Sequence, residues 1–204
     1  GSADEEQDIW VFDLTKNTLM RLTFGPASEV YSPWMPDGKH ILFSVGDTAA
    51  SSARDVFRKA VDGSGPTEAL SRNKSAGGPS SISPDGKFAV YRTGHLFEAN
   101  DLLLLSLDGS GQSTPLLADP KFHERNGEIS PDGRWIAYES DESGRFEVYV
   151  RPFPAVDTGR WEISPEGGLF PFWSRSGREL FFVAGTIGSA RRLMTVQIEP
   201  GQGF

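Results

Sequence analysis

The sequence predicts an all-β fold, a β-propeller of four-stranded antiparallel blades, and three observations carry that prediction. A tight corner recurs as Met35-Pro36-Asp37-Gly38, Ser83-Pro84-Asp85-Gly86, Ser130-Pro131-Asp132-Gly133 and, in degraded form, Ser174-Arg175-Ser176-Gly177. Its glycines are separated by 48, 47 and 44 residues, a period that marks a repeat array. An apolar run follows each corner at a fixed offset, and no segment shows helical periodicity.

The corner is explained by backbone geometry. Proline presets φ for the second position of a type I turn, aspartate hydrogen-bonds nearby backbone, and glycine accepts the positive φ that closes a hairpin. The row of Asp37, Asp85 and Asp132 therefore reads as turn chemistry. The flanks repeat as well. Four residues before the glycine stands Trp34, Ile82, Ile129 or Trp173, and one residue after it Lys39, Lys87, Arg134 or Arg178. Three and four residues beyond the glycine come Ile41-Leu42, Ala89-Val90, Ile136-Ala137 and Leu180-Phe181, followed by the aromatic Phe43, Tyr91, Tyr138 or Phe182. Successive strand residues point to opposite faces, so such a run is buried on both sides, as in a sheet stacked between two others.

A second landmark opens another strand. Asp8 to Leu14 aligns with Asp55 to Val61, Asp101 to Leu107 and Glu147 to Phe153, at spacings of 47, 46 and 46. Arg192 to Ile198 keeps the apolar pattern without the acid. Between the landmarks lie Arg21-Leu22-Thr23, Glu68 to Ser71, Pro115-Leu116-Leu117 and Trp161 to Ser164, two of them preceded by Asp-Gly-Ser-Gly turns at 62–65 and 108–111. One unit thus has four strands, and the segment holding Trp161 is expected innermost, facing a central channel. The units run over 15–61, 62–107, 108–153 and 154–198, with 8–14 an outer strand of a preceding blade, 1–7 a leader that begins with the expression scar Gly1-Ser2, and 199–204 a tail. Four repeats plus one extra outer strand imply a piece of a larger propeller. Open sheet ends invite self-association, either a dimer closing one ring or a distorted four-bladed closure.

Lys plus Arg is 20 and Asp plus Glu is 28, a net charge of −8, which disfavours the clustered cations of a nucleic-acid surface. There is no cysteine, so disulfides and thiolate metal sites do not arise. No apolar run approaches the roughly 20 residues that span a bilayer, and any targeting signal would lie upstream.

The phrases Asp8 to Leu14, Arg21-Leu22-Thr23, Ser130 to Tyr138 and Val150 to Pro154 resemble TolB-like propeller repeats, and their longer phrasing is similar to propeller segments at the carboxyl end of some bacterial Ser/Thr protein kinases. The resemblance covers residues 8 to 198 and implies a non-catalytic protein-interaction or ligand-sensing module of a bacterial envelope or signalling protein, in a periplasmic or other extracytoplasmic setting. The alternative it implies is the accessory propeller of an enzyme, a prolyl oligopeptidase-type serine peptidase or a kinase, whose catalytic domain lies outside this chain. Fold does not fix function, so the site must be argued from residues.

Nothing forms a catalytic constellation. Ser64 and Ser110 sit in glycine turns without the spacing of a nucleophile elbow. The acids Asp8, Asp55, Asp101 and Glu147 open outer strands that do not converge, and His40, His95 and His123 occupy non-equivalent positions, so neither a metal nor a cofactor is expected. Where a repeat fails, binding is usually written. The connection 119–128 holds Phe122, His123, Glu124, Arg125 and Asn126; the connection 94–100 holds His95 and Phe97; the Ser-rich connection from Gly46 ends at Arg54. Together with Trp161 these residues are the expected contacts for a protein, a peptide or a small ligand. The two classes of loop are expected to share one face.

Overall fold

Glycine-closed corners and double-sided apolar runs leave the chain one way to bury itself, as stacked antiparallel sheets. The computed structural model describes residues 7–46, 54–71, 76–93, 100–185 and 191–198. A leading hairpin pairs β1 (Trp10–Asp13) with β2 (Thr18–Arg21). The first four-stranded sheet is β3 (Ser28–Val30), β4 (His40–Gly46), β5 (Arg54–Ala60) and β6 (Glu68–Ala69), paired in that order. The second is β7 (Ala76–Ile82), β8 (Phe88–Thr93), β9 (Leu102–Ser106) and β10 (Ser113–Leu117). The third is β11 (Glu124–Ile129), β12 (Trp135–Ser140), β13 (Glu147–Pro152) and β14 (Trp161–Glu162). The last comprises β15 (Gly168–Trp173), β16 (Glu179–Ala184) and β17 (Arg192–Gln197). A single bridge, Arg54 to Ala76, links the first two sheets. Among the described residues, no helix is long and apolar enough to cross a membrane.

The repeat places one core between each pair of neighbouring sheets. Ile41 and Leu42 are consecutive on β4, and they belong to different cores. Ile41 meets Ile9 and Leu22 of the leading hairpin, whereas Leu42 meets Ala89, Tyr91 and Leu105 of the second sheet. The same division separates Ala89 from Val90 and Ile136 from Ala137. Leu180 is buried against the third sheet, and its neighbour Phe181 turns to the open side, stacked on Phe172 at 5.0 Å.

The corners are the expected hairpin tips. Gly38, Gly86, Gly133 and Gly177 have φ of 64°, 71°, 71° and 68°. Asp85 Oδ1 accepts from Ser83 Oγ at 2.7 Å and Lys87 N at 3.1 Å, and Asp132 repeats this with Ser130 and Arg134. In the first copy the imidazole of His40 takes the place of the serine, 2.6 Å from Asp37 Oδ2. Hydrogen bonds to the carboxylate hold Asp37 and Asp85 below the usual range.

One part of the expected layout is corrected. Strand pairing puts the segment with Trp161 at the outer edge of its sheet, opposite Val150 of β13, and Glu68–Ala69 likewise pairs outward with β5. The turn after each third strand, such as Asp62 to Gly65, folds the following segment back onto that strand, and the chain crosses to the next sheet only after it. The innermost strand is therefore the one before the corner. The four-unit repeat is present, and the sheets cut it one strand away from the sequence boundaries: three complete sheets, flanked by a two-stranded hairpin and a three-stranded sheet.

Candidate binding cleft at the inner strands

All three inner strands that lead into the last three corners carry a register shift, between Pro79 and Ser81, Arg125 and Glu128, and Leu169 and Phe172. A bulge of this kind re-aims a side chain out of the ladder. The position seven residues before the corner glycine is Tyr31, Pro79, Asn126 and Phe170. Tyr31, Asn126 and Phe170 have positive φ of 57°, 51° and 54°. In Pro79 the ring forbids that conformation. Such a backbone is uncommon for bulky residues and disfavoured by about 1 to 3 kcal/mol, so its recurrence at one repeat position is a built feature.

These positions surround a cleft of about 540 Å³, lined also by Gly78, Ser80, Arg92, Arg125, Leu169 and Arg191, so that all four sheets contribute. The Tyr31 ring lies against Gly78, where any Cβ would overlap it. Arg92 Nη2 lies 3.4 Å from Tyr31 Oη. Arg125 Nε donates to Glu139 Oε2 at 2.7 Å, and its guanidinium sits 3.6 Å over the Phe146 ring. Glu139 Oε1 accepts from Asn126 Nδ2 and from the Phe170 amide, both at 2.6 Å. Fully buried, Glu139 thus joins the third and fourth sheets beneath the cleft. Ser80 Oγ donates to Gly127 O at 2.7 Å, joining the second and third.

Among the described residues the lining contains three arginines and no acid, and Glu139 beneath it offsets one of them. On a chain of net charge −8 this is a local positive site. Half-exposed Tyr31 and Phe170 add aromatic faces. Such a set suits carboxylates and flat or apolar side chains.

No protein-family model matches the sequence. The structure is similar to TolB from Acinetobacter baumannii, with a TM-score of 0.73 at 17% identity, over 95% of this chain and 47% of that one. The fold is that of a TolB-like β-propeller. Puromycin hydrolase shares the arrangement, with a TM-score of 0.68 at 18% identity over 94% of this chain and 34% of that chain. An uncharacterised protein of Agrobacterium fabrum, Atu1656, is 31% identical over 102 residues, half of this chain. The chain spans 34% of the length of that relative.

On the TolB-like propeller the expected contact residues separate. Arg125 and Asn126 reach the cleft. Phe122 and Glu124 line another cavity, at the seam between the second and third sheets. The His123 amide donates to Asp141 Oδ1 at 2.8 Å, which brings the 119–128 connection against the β12–β13 turn; the connections that start at Gly46 and Gly94 lie, but for their end residues, outside the described residues. Arg54 is buried, with Nη1 donating to Ser28 O at 3.0 Å, and serves the interior instead of a loop surface. Trp161 does not face the channel; it packs edge-on against Trp135 at 5.5 Å on the outer strand. His95 and Phe97 lie outside the described residues.

Sequence reasoning passed over Tyr31, Arg92, Glu139 and Phe170, because it sought binding in loops. A signal was available. The column six residues after the corner glycine reads Ser44, Arg92, Glu139 and Val183, and the column seven before it is equally mixed, within a unit that otherwise repeats.

Proposed function

We propose that this chain is a non-catalytic interaction module of a bacterial envelope or signalling protein, and that the inner-strand cleft holds an extended peptide bearing acidic and aromatic side chains. The observation that supports this most directly is the shared positive-φ backbone that presents Tyr31, Asn126 and Phe170 toward one cleft rimmed by Arg92, Arg125 and Arg191. The sheets beneath supply a preformed surface, which lowers the ordering penalty of association. Carboxylates of the peptide pair with arginine, and its aromatic groups stack on Tyr31 and Phe170. No cofactor takes part, and an extracytoplasmic location goes with the reading.

The test is fluorescence polarisation with short labelled peptides that differ only in Asp/Glu or Lys content. Acidic aromatic peptides are expected to bind, more weakly as salt is raised, and Arg92→Ala with Phe170→Ala to abolish the signal. Equal binding of the lysine counterparts, or full binding by the double variant, refutes the reading.

A further inference from the structure

A cavity of about 280 Å³ opens at the seam between the second and third sheets, away from the inner-strand cleft. Leu116, Leu117 and Phe122 form apolar walls, and Asp119, Glu124, Glu142 and Asp157 bring four carboxylates. Arg151 is the one base in the lining among the described residues, and its Nε and Nη1 donate to Tyr138 Oη and Val156 O at 2.8 and 3.0 Å. Arg160 reaches Glu142 Oε2 at 2.5 Å, leaving Glu142 Oε1 buried with no hydrogen-bond partner. Glu124 is only 5% exposed, and its Oε2 is likewise buried without a partner. Two carboxylate oxygens sealed from water with no donor are costly unless something donates to them. We propose that this seam cavity binds an alkylammonium group, a lysine side chain or a free alkylamine, with its ammonium on Glu124 and Glu142 and its carbon stem along Leu116, Leu117 and Phe122.

The chemistry selects this class over a bare metal ion. An ammonium carries three donors on an apolar stem, matching two orphan acceptors at the end of a walled pocket. Among the described residues no three His, Asp or Glu side chains converge as a metal site. Excess negative charge points the same way, since Asp101 and Asp141 add to the field at Glu124, whose carboxyl is pushed up to about 7 by burial and by these acids. A bound cation is the counter-charge that relieves that repulsion. This inference is independent of the peptide reading, because it uses different residues at another seam.

The test is isothermal titration with n-butylammonium chloride, Nα-acetyl-lysine amide, n-butanol and calcium chloride, at pH 8. Butylammonium is expected to bind and butanol not to. Glu124→Gln is expected to weaken binding by about tenfold or more, while Asp85→Asn, an equal charge change at a corner, leaves it unaltered. Lowering the pH to 6 is expected to weaken binding as Glu124 takes up its proton among Asp101, Asp119, Asp141, Glu142, Asp157, Arg151 and Arg160. If the lysine derivative binds as well, a protein lysine fits the pocket; if butylammonium alone binds, the source is a free amine. No binding at millimolar amine, equal binding of butanol, full affinity in Glu124→Gln, or calcium binding that competes with the amine overturns the proposal. Unchanged thermal unfolding of Glu124→Gln shows that a loss of binding is not a loss of fold.

Discussion

Arg125 Nε stands 2.7 Å from Glu139 Oε2, and that carboxylate is fully buried. Glu139 also accepts from Asn126 and from the Phe170 amide, so one side chain takes three donors from two sheets. Removing one partner leaves the other charge buried and uncompensated, which is the destabilising case for an ion pair. Glu139→Ala is expected to lower unfolding free energy by about 3 to 5 kcal/mol in urea denaturation. Arg125→Met, which keeps the packing over Phe146, is expected to be nearly as damaging, and the double variant less so than the sum. Additive losses would show that the pair is not coupled.

Phe170 separates stability from binding. It is half-exposed and held at positive φ, a conformation glycine adopts without steric penalty. Phe170→Gly is expected to hold stability level or raise it by up to about 1 kcal/mol, since relief of strain offsets the flexibility of glycine. The same variant is expected to lose peptide binding. A large drop in melting temperature would mean that the ring serves packing instead.

Trp161 tests the corrected strand order. Its ring meets Trp135 edge-on at 5.5 Å on the outer side of the third sheet. Trp161→Ala is expected to cost about 2 to 3 kcal/mol of stability and to leave cleft binding unchanged. A selective loss of binding with full stability would restore a channel-facing role.

The difference between what was legible and what was not has a physical basis. Corners and double-sided runs such as Ile41-Leu42 are dictated by local chemistry, so the fold class, the hairpin tips and the stacked sheets could all be read from residue type and spacing. Which edge of a sheet a short strand joins depends on the turn before it. The pairing of Trp161 with Val150 follows from a fold-back that the strand's own composition does not record. Cleft residues were harder still. Phe170 reaches the cleft through a bulge, where a shift of register turns a strand residue away from the alternation that sequence patterns assume, and Tyr31 reaches it at positive φ just past the end of β3. Arg125 and Asn126 were found because they open their strand next to an irregular loop.

Stability is expected to fall as pH rises from 5 to 8. Burial pushes the Glu128 carboxyl up to about 8, partly offset by a hydrogen bond with Ser81, and Glu124 goes up to about 7. Burial raises Glu29 as well. In the unfolded chain these groups lose their protons near 4.5. Between that value and 8 the native state holds more protons, so their contribution is complete below it and is lost as pH rises. Asp13, Asp37 and Asp85 are shifted downward and act in the opposite sense, in acid below the ordinary carboxylate range. Melting temperatures at pH 5 and 8 check the sign, and Glu128→Gln is expected to flatten the decline. A melting temperature that climbs over this interval would contradict it.

The two end sheets each show an apolar face. On the leading hairpin Val11 turns to the core, while its neighbours Trp10 and Phe12 and the paired Leu19 are about half-exposed or more. On the last sheet the exposed face carries Phe172 stacked on Phe181, with Leu193 beside them. Between interior sheets the equivalents of Phe181 are Leu42, Val90 and Ala137, all buried. Each exposed face carries the kind of residues that the interior sheets bury between them, and self-association of this chain through these faces is the expected outcome. Light scattering is expected to give twice the chain mass of 22.3 kDa. Phe172→Ser with Phe181→Ser is expected to weaken that association about tenfold or more while the inner cores stay intact. A particle of single-chain mass at every concentration would exclude the dimer.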